Sequence, residues 1–248
     1  MRAVRHAIPV FAESREAMHE KYVRFRHKAY FTALRPVGRL LALRYHFHTK
    51  PRRMKKGEQY LILANHQGAL DPALLALSFR APIYFVATDT IFSTKWYSRL
   101  MVHCFAPIKK RKAAMDLSCI KSMLRVAKEG GNIALFPDGN RAWCDFQFPI
   151  ENSISKLIRM LRLPVLLYNF EGGYGVNPRW GKTIRRGKQV GRIARILTTE
   201  EIAALTDEEL HRQIMDGLRV FDSDSGERYR SRRRAENLEH MLFVCPGC

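Results

Sequence analysis

The residues best suited to chemistry lie in the stretch 65–72, where a histidine is followed five positions later by an aspartate. A histidine at this position, His66, can act as a general base. Asp71 could accept a hydrogen bond from the other ring nitrogen, which would fix the tautomer and stabilise the imidazolium. On one straight helix the two side chains would lie roughly 140° apart. They can therefore meet only if the chain turns between them, and Gly68 permits such a turn.

A second, purely structural role for the same aspartate fits the sequence equally well. Asp71-Pro72 has the pattern of a helix N-cap followed by proline at the first helical position. The residue types alone do not choose between this role and a hydrogen bond to His66, and one carboxylate could serve both.

Two further stretches offer cationic groups to an anionic ligand. The first ends in Gly139-Asn140-Arg141, where a planar guanidinium could bind phosphate bidentately and glycine would let backbone N–H groups approach it. Its Pro-Asp-Gly sequence, which includes Asp138, is also that of an ordinary β-turn. The second stretch holds Lys109, Lys110 and Arg111, a cluster typical of solvated surface or of a phosphate or nucleic-acid patch.

The elements that would position these residues alternate along the chain from about residue 59 to 197. Apolar runs predict strands at 60–64, 83–87, 132–136 and 164–170. Helical patterns cover residues 72–79, 91–104, 113–129 and 153–161. This alternation favours an α/β fold with a central mixed, largely parallel sheet flanked by helices on both faces. Such folds bind ligands at the carboxyl ends of their strands, and both the 65–72 and the 137–141 stretches follow predicted strands.

A basic, aromatic-rich amphipathic pattern from residue 13 to about 50 predicts one or two helices, with a bend near Pro36 and Gly38. The pattern suits either a helix in a lipid headgroup layer or an ordinary helix packed on the domain. We assign residues 1–55 to this N-terminal amphipathic helical segment and residues 56–197 to the α/β domain.

The remainder, residues 198–248, is predicted to be a helical C-terminal extension. Capping-box patterns begin at Thr198 and Thr206 and predict two helices. Just before them, the alternation of basic and apolar residues over 181–197 predicts a β-hairpin.

The composition excludes several classes of protein. The 248 residues are 46% apolar and 10% aromatic, which is enough for a packed core and argues against intrinsic disorder. No run approaches the roughly 20 apolar residues of a transmembrane helix, and the basic N-terminus is not followed by a signal-peptide segment. The net charge of +20 predicts a negatively charged partner, such as phosphate, nucleic acid or an anionic bilayer.

The five cysteines are an odd number and widely spread, which favours a reducing cytosol over a disulfide framework. Cys245 and Cys248 have the spacing of one zinc-ribbon knuckle, which would supply two of the four ligands of a structural zinc site. A continuation of the chain or a second copy could donate the missing pair. A bare terminus without metal is the alternative.

The order of these stretches resembles the glycerolipid acyltransferase family of the 1-acylglycerol-3-phosphate acyltransferase type. That family has four blocks: Asn-His-x4-Asp, a basic block after a short apolar strand, Phe-Pro-Glu-Gly-x-Arg-Ser, and an apolar Val-Pro strand. The corresponding stretches here begin at Asn65, Lys109, Phe136 and Leu163, so that the likeness covers roughly residues 59–170. Two departures are Asp138 in place of the usual glutamate and Ala142 in place of the usual serine or threonine.

The resemblance implies a role for each matching residue. His66 would deprotonate an acceptor hydroxyl and Asp71 would orient it, and the oxygen would attack an acyl thioester without a covalent acyl-enzyme. Arg111, with Lys109 and Lys110 as lesser candidates, would hold the acceptor phosphate. The other residues expected to bind substrate are Asn65, Asp138, Gly139, Arg141 and Pro164, the last lining the acyl or acceptor channel.

The implied function is transfer of a fatty acyl group from acyl-CoA or acyl carrier protein to a lysophospholipid, in the first place 1-acylglycerol-3-phosphate. No cofactor is expected for catalysis. The enzyme would work as a peripheral protein on the cytoplasmic face of the membrane, against an anionic surface.

Two alternatives to this function are kept. The departures at Asp138 and Ala142 leave another lysolipid or an amino-lipid open as the acceptor. The arginine-rich tail from Glu227 could bind nucleic acid, but the recognition signatures of nucleic-acid-binding proteins are missing. A nucleic-acid partner is therefore not expected.

Overall fold

The computed structural model describes residues 25–88, 102–111, 116–146, 149–233 and 235–240, and a seven-stranded sheet organises them. The strands are β1 (Phe47–Thr49), β2 (Leu61–Ala64), β3 (Ile83–Thr88), β4 (Ile108–Lys110), β5 (Asn132–Leu135), β6 (Val165–Glu171) and β7 (Gln189–Leu197). Their order across the sheet is β1-β7-β6-β2-β5-β3-β4. Among the strands of the described residues, β6 and β7 alone pair antiparallel, and every other neighbouring pair is parallel. The predicted α/β fold with a mixed, largely parallel sheet is confirmed.

Helices cover both faces of this sheet. They are α1 (Phe25–Ala33), α2 (Arg35–Arg44), α3 (Asp71–Leu77), α4 (Leu117–Lys128), α5 (Ser153–Leu161), α6 (Gly173–Val176), α7 (Thr199–Ala204) and α8 (Asp207–Leu218). Residues 102–105 are helical as well, and Asp222–Ser225 and Leu238–His240 form short 3-10 turns. None of the helices in the described ranges is long and apolar enough to cross a bilayer.

The core consists of two apolar layers because side chains of a strand alternate between the faces of a sheet. On one face Leu61 and Leu63 belong to a buried cluster that includes residues of α4, α5 and α8. On the other face Ile62 and Ala64 pack in a cluster with residues of α3 and with Phe47 of β1. Since β2 is buried on both sides, it reads in sequence as a continuous apolar run.

The N-terminal helices agree with the sequence pattern only in part. The predicted bend lies at Leu34 between α1 and α2, with Pro36 in the first turn of α2. The end of the predicted helix is wrong, since Phe47–Thr49 forms β1 and pairs in parallel with β7. Phe47 is buried against Phe170, and this tertiary contact outweighs the local helical pattern. Residues 13–24 of the prediction lie outside the described residues.

The predicted hairpin over 181–197 is also wrong. A single strand, Gln189–Leu197, pairs with β6 over almost its whole length and with β1 on its other side. Because β6 pairs with residues 190–197 and β1 with residues 189–191, the backbone of the segment finds its partners outside it and no second arm is needed. Most of the helix predicted over 91–104 lies outside the described residues.

The two capping boxes are confirmed. The hydroxyl of Thr198 accepts from Glu201 N, and that of Thr206 accepts from Glu209 N. Each glutamate in turn accepts from the backbone N–H of its threonine. The second helix, α8, buries Leu210, Ile214 and Leu218 in the core layer beneath the sheet.

Candidate active site

The histidine and the aspartate of the 65–72 stretch are in contact. His66 Nδ1 lies 2.9 Å from Asp71 Oδ2. The Asp71 side chain is completely buried, whereas that of His66 is 21% exposed. A carboxylate at Nδ1 favours the tautomer that carries its proton there, so that Nε2 keeps the lone pair that a general base needs.

The loop between them is shaped by the same carboxylate. Asp71 Oδ2 also accepts from Gln67 N at 2.7 Å and from Gly68 N at 2.8 Å. A Cβ atom on Gly68 would lie 2.8 Å from Asp71 Oδ1, so any larger residue would push the carboxylate away. Glycine is needed here to let the carboxylate approach the backbone, and this closes the turn that brings His66 and Asp71 together.

Asp71 is not the N-cap of the following helix, which is the structural role that the sequence pattern offered for it. Helix α3 has Leu70 at its N-cap position, and Asp71 is the first helical residue. Its carboxylate accepts hydrogen bonds from amides that precede it and from the imidazole. The aspartate therefore orders the loop and not the first turn of the helix.

Asn65 links the end of β2 to the neighbouring strand. Its Nδ2 donates to Phe170 O at 2.9 Å, and its Oδ1 accepts from Phe170 N at 2.7 Å. The side chain is buried, and its two hydrogen bonds to the Phe170 backbone extend the pairing of β2 with β6 by one position. In this structure Asn65 therefore positions the backbone that carries His66.

The turn after β5 forms the opposite wall of the site. The ring of Phe136 stacks on His66 at 4.5 Å between centroids, and Ala142 N donates to His66 O at 2.9 Å. Gly139 has a positive φ of 69°, as expected for a glycine turn. Asp138 Oδ2 accepts a long hydrogen bond of 3.4 Å from His66 N, and burial raises the pKa of this carboxyl to about 6.

Two arginines lie together beside this turn. Arg141 is half-buried, and burial followed by the charge of Arg179 lowers its pKa. Arg179 donates to Arg141 O at 2.8 Å, and its guanidinium lies 4.3 Å from the centroid of the Trp143 ring. In the described part of the chain neither arginine forms an ion pair with a carboxylate. A buried Nε of Arg141 also lacks a hydrogen-bond partner there. This is the arrangement that an incoming anion would complete.

The basic block of Lys109, Lys110 and Arg111 lies farther along the sheet from His66. Lys109 and Lys110 are the last residues of the edge strand β4 and are exposed. When the register of the paired strands is extended beyond the strand ends, Arg111 lies level with Asp138 and with His66 at the carboxyl edge of the sheet. Three strand spacings separate β4 from β2, which corresponds to about 14 Å. The backbone N of Arg111 donates to Asp116 at 2.7 Å, and its side chain is 67% exposed.

Other predicted site residues lie elsewhere. Pro164 precedes β6 and its carbonyl accepts from Leu61 N, at the amino edge of the sheet opposite His66. The structure therefore does not bring Pro164 to the His66–Asp71 pair. Cys245 and Cys248 lie outside the described residues, and the zinc site stays a prediction.

Four neighbours of the site were not singled out from the sequence. Phe136 and Arg179 contact it as described above, and Gln67 and Asp222 form a buried hydrogen bond of 3.1 Å next to His66. Gln67 lies inside the Asn-His-x4-Asp block, and Arg179 follows the glycine-rich residues 171–175, which match none of the four blocks. Nothing in the sequence marks Asp222, because its partners are distant along the chain.

Comparisons with known proteins agree with this arrangement. A family model described as Acyltransferase matches residues 44–166. The 1-acyl-sn-glycerol-3-phosphate acyltransferase of Bacillus subtilis (strain 168) is 25% identical over 161 residues, which are 60% of this chain and 76% of the relative. The crystal structure of the 1-acyl-sn-glycerophosphate acyltransferase PlsC from Thermotoga maritima superimposes with a TM-score of 0.64 at 19% identity. This match covers 79% of this chain and 81% of that one. The chain is thus a member of the acyltransferase family.

Proposed function

We propose that this O-acyltransferase transfers an acyl group from a thioester to the free hydroxyl of a 1-acylglycerol-3-phosphate. The observation that carries the proposal is the His66–Asp71 pair, 2.9 Å apart, beside two arginines without carboxylate partners. A base next to a cationic pocket suits an acceptor that has a hydroxyl and a phosphate a few bonds apart. The curated relative of similar sequence carries the corresponding name.

The reaction follows from the state of the imidazole. His66 Nε2 would remove the proton of the acceptor hydroxyl while Asp71 stabilises the positive charge on the ring. The oxygen would attack the thioester carbonyl directly and form a C–O bond. The tetrahedral intermediate would then collapse as the C–S bond breaks. The proton on His66 would return to the leaving thiolate, which regenerates the base.

The acceptor phosphate would bind to the arginine pair. Arg141 has an unpartnered Nε, and Arg179 is held by its bond to Arg141 O and by the Trp143 ring. Arg111, on the same edge of the sheet with an exposed side chain, would add a third cation for the rest of the headgroup. Lys109 and Lys110 would contribute long-range attraction.

The acceptor class also depends on the departures from the family pattern. Ala142 is buried beside His66, where the usual residue would add a hydroxyl. Asp138 is one methylene shorter than the usual glutamate. These two changes favour a test of other lysolipids and amino-lipids alongside 1-acylglycerol-3-phosphate, with either acyl-CoA or acyl carrier protein as donor.

We further infer that the protein binds the cytoplasmic face of the membrane through α2. Val37, Leu40 and Leu43 are 54%, 67% and 72% exposed, and Arg39 and Arg44 are exposed on the same helix. Exposed leucines among arginines suit a helix that lies at an anionic lipid surface. The neighbouring Tyr45 feels the charges of both Arg141 and Asp71, so that α2 would bring the site to its lipid substrate.

The decisive experiment replaces the base. His66→Ala should lower kcat at least about a thousandfold, because the hydroxyl would no longer be deprotonated. Turnover is measured as thiol release from acyl-CoA and from acyl carrier protein, with mass spectrometry of the lipid product. An acceptor panel in the same assay identifies the preferred lysolipid.

The matched control is His48→Ala, which removes an exposed histidine from β1. It should keep wild-type turnover, and circular dichroism should show the same fold for both variants. Normal kcat in His66→Ala would exclude the proposed mechanism. Turnover of the wild type with an amino-lipid and not with 1-acylglycerol-3-phosphate would overturn the proposed acceptor alone.

A further inference from the structure

The segment that follows α8 folds back onto the loop that carries His66. Its 3-10 turn begins with Asp222, a carboxylate that is only 5% exposed. Asp222 Oδ1 accepts from Gly172 N at 2.6 Å and from Gln67 Nε2 at 3.1 Å, and Oδ2 accepts from Gly175 N at 2.8 Å. A buried carboxylate with three donors is costly to disturb, because each donor would lose a charged acceptor.

Gln67 connects this carboxylate to the catalytic pair. Its backbone N donates to Asp71 Oδ2 at 2.7 Å, and it follows His66 directly in the chain. Its side-chain Oε1 accepts from Gly173 N at 3.0 Å while its Nε2 donates to Asp222. One residue therefore bonds through its backbone to the carboxylate that orients His66, and through its side chain to a residue 155 positions away.

The same turn is tied to the second loop of the site. Asp145 accepts from Asp222 N and from Ser223 N, both at 2.7 Å. Asp145 belongs to the stretch that follows Arg141 and Ala142. The turn thus contacts the loop after β2 and the loop after β5, which together form the walls around His66.

A tyrosine fixes the segment in place. A Cβ atom on Gly175 or on Gly187 would lie 2.3 Å from the ring of Tyr229, so that both glycines leave the space that this ring fills. Backbone hydrogen bonds of 2.9 and 2.7 Å between Arg186 and Arg230 hold the adjacent residues. The glycine-rich sequence after β6 therefore has a physical reason, which is to receive the segment from the C-terminal side of α8.

We propose that Gln67 and Asp222 are positioning residues for the acyl transfer, and that the segment 222–230 completes the active site. They act through Asp71 on the orientation of His66 and do not contact the reacting atoms. This inference rests on the role of His66 in the proposed function. The C-terminal extension would thus help to position the catalytic base, although it lies outside the four blocks of the family pattern.

The test exchanges the amide and the carboxylate. In Gln67→Glu two buried carboxylates would face each other and repel, which should displace the loop. Asp222→Asn should leave one of the glycine amides without an acceptor. In the double variant an amide again faces a carboxylate, so that a hydrogen bond between positions 67 and 222 can form again.

We expect each single variant to lower kcat about tenfold or more while KM changes less than about twofold, since orientation of the base affects the barrier and not substrate binding. The kcat of the double variant should be at least about threefold higher than the value expected if the two single substitutions acted independently. Asp216→Asn, which changes an exposed carboxylate on α8 outside the segment 222–230, is the matched control and should leave kcat unchanged. All rates use the full chain and are normalised to the folded fraction from circular dichroism.

Two outcomes would overturn the inference. One is unchanged kcat per folded molecule in both single variants, even if their melting temperatures fall. The other is a double variant whose loss equals the product of the single losses. His66→Ala measured in parallel separates the two proposals: if it is inactive while Gln67→Glu and Asp222→Asn are normal, only the positioning role fails. If His66→Ala keeps its activity, the proposed function itself fails.

Discussion

At the scale of single residues, the site contains two carboxylates in different surroundings. Asp71 Oδ2 accepts from the imidazole and from two backbone amides, which together compensate its complete burial. Asp138 has only one long hydrogen bond in the described residues, and Oδ1 of both carboxylates is buried without a partner there. Burial therefore dominates at Asp138 and raises its pKa to about 6.

This pKa gives a prediction for stability. Because the pKa of Asp138 rises from 3.8 to about 6 on folding, the folded protein holds a proton that the unfolded chain has lost between these values. Stability contributed by this group is present below about pH 4 and is lost as pH rises to about 6, by up to about 3 kcal/mol. Asp138→Asn should remove this pH-dependent loss of stability. The free energy of unfolding of the variant relative to wild type should therefore increase between about pH 4 and about pH 6.

Urea unfolding of both proteins at several pH values measures the difference. The free energy of unfolding of the variant, relative to that of the wild type, is expected to increase from acid to neutral pH. Above that range the difference between the two proteins should stay constant. A difference that is independent of pH, or one that changes in the opposite direction, would show that Asp138 ionises normally in the folded protein.

At the scale of elements, α2 has two unlike faces. Gly38 packs on α3 so closely that a Cβ atom would lie 2.8 Å from Leu77 Cδ2. Arg35 donates to Leu77 O and Phe79 O and so binds the C-terminal end of α3. Leu40 and Leu43 remain exposed to solvent. The helix is thus attached to the domain by one side and offers apolar side chains on the other.

This arrangement predicts the effect of a double substitution. Leu40→Glu with Leu43→Glu should reduce binding to vesicles that contain anionic lipid about tenfold or more, because each leucine contributes about 1.5–3 kcal/mol when it enters an apolar phase. The melting temperature should not change, since both side chains are already exposed. Co-sedimentation with vesicles measures the bound fraction.

Leu117→Glu provides the matched control for this substitution. Leu117 is 63% exposed but lies at the start of α4, on the other side of the sheet. It should leave vesicle binding unchanged. Equal loss of binding in the two variants would argue against α2 as the membrane-binding element.

At the scale of the whole molecule, the excess of positive charge is the dominant property. There are 43 lysines and arginines against 23 acidic residues. Part of this charge is compensated by ion pairs such as Arg52–Glu58 and Arg159–Asp207. Exposed cations such as Lys110 at the sheet edge attract an anionic surface or substrate.

This charge predicts a strong dependence on salt. Binding to anionic vesicles should fall at least about tenfold between about 0.05 and 0.5 M salt, because the screening length shortens to a few ångström. Neutral vesicles should bind weakly at both concentrations, through the leucines alone. A bound fraction that does not respond to salt would show that the net charge has no part in membrane binding.

Several elements could be predicted from the sequence because their causes are local. The buried strand β2 follows from its continuous apolar run, and α5 and the two capping-box helices follow from their spacing and caps. The contact between His66 and Asp71 was also accessible, since both lie in one short loop with a glycine between them.

Elements that depend on distant partners could not be predicted in this way. The residues of β1 continue a helical pattern and become a strand only because β7 offers an open edge and Phe170 a buried surface. The residues 181–197 alternate as a hairpin would, yet β6 and β1 pair with one long strand. In both cases the hydrogen-bond partners lie outside the segment itself, and β1 and β7 are more than a hundred residues apart in the chain.

The sequence by itself determined the family pattern, the class of fold and the pair of residues suited to proton transfer. Only the tertiary structure decided that Arg179 joins Arg141, that Pro164 lies at the opposite edge from His66, and that Asp222 bonds to Gln67. The physical reason is that local spacing governs the contacts within a loop or helix. Contacts between loops depend instead on the order and register of the strands that carry them.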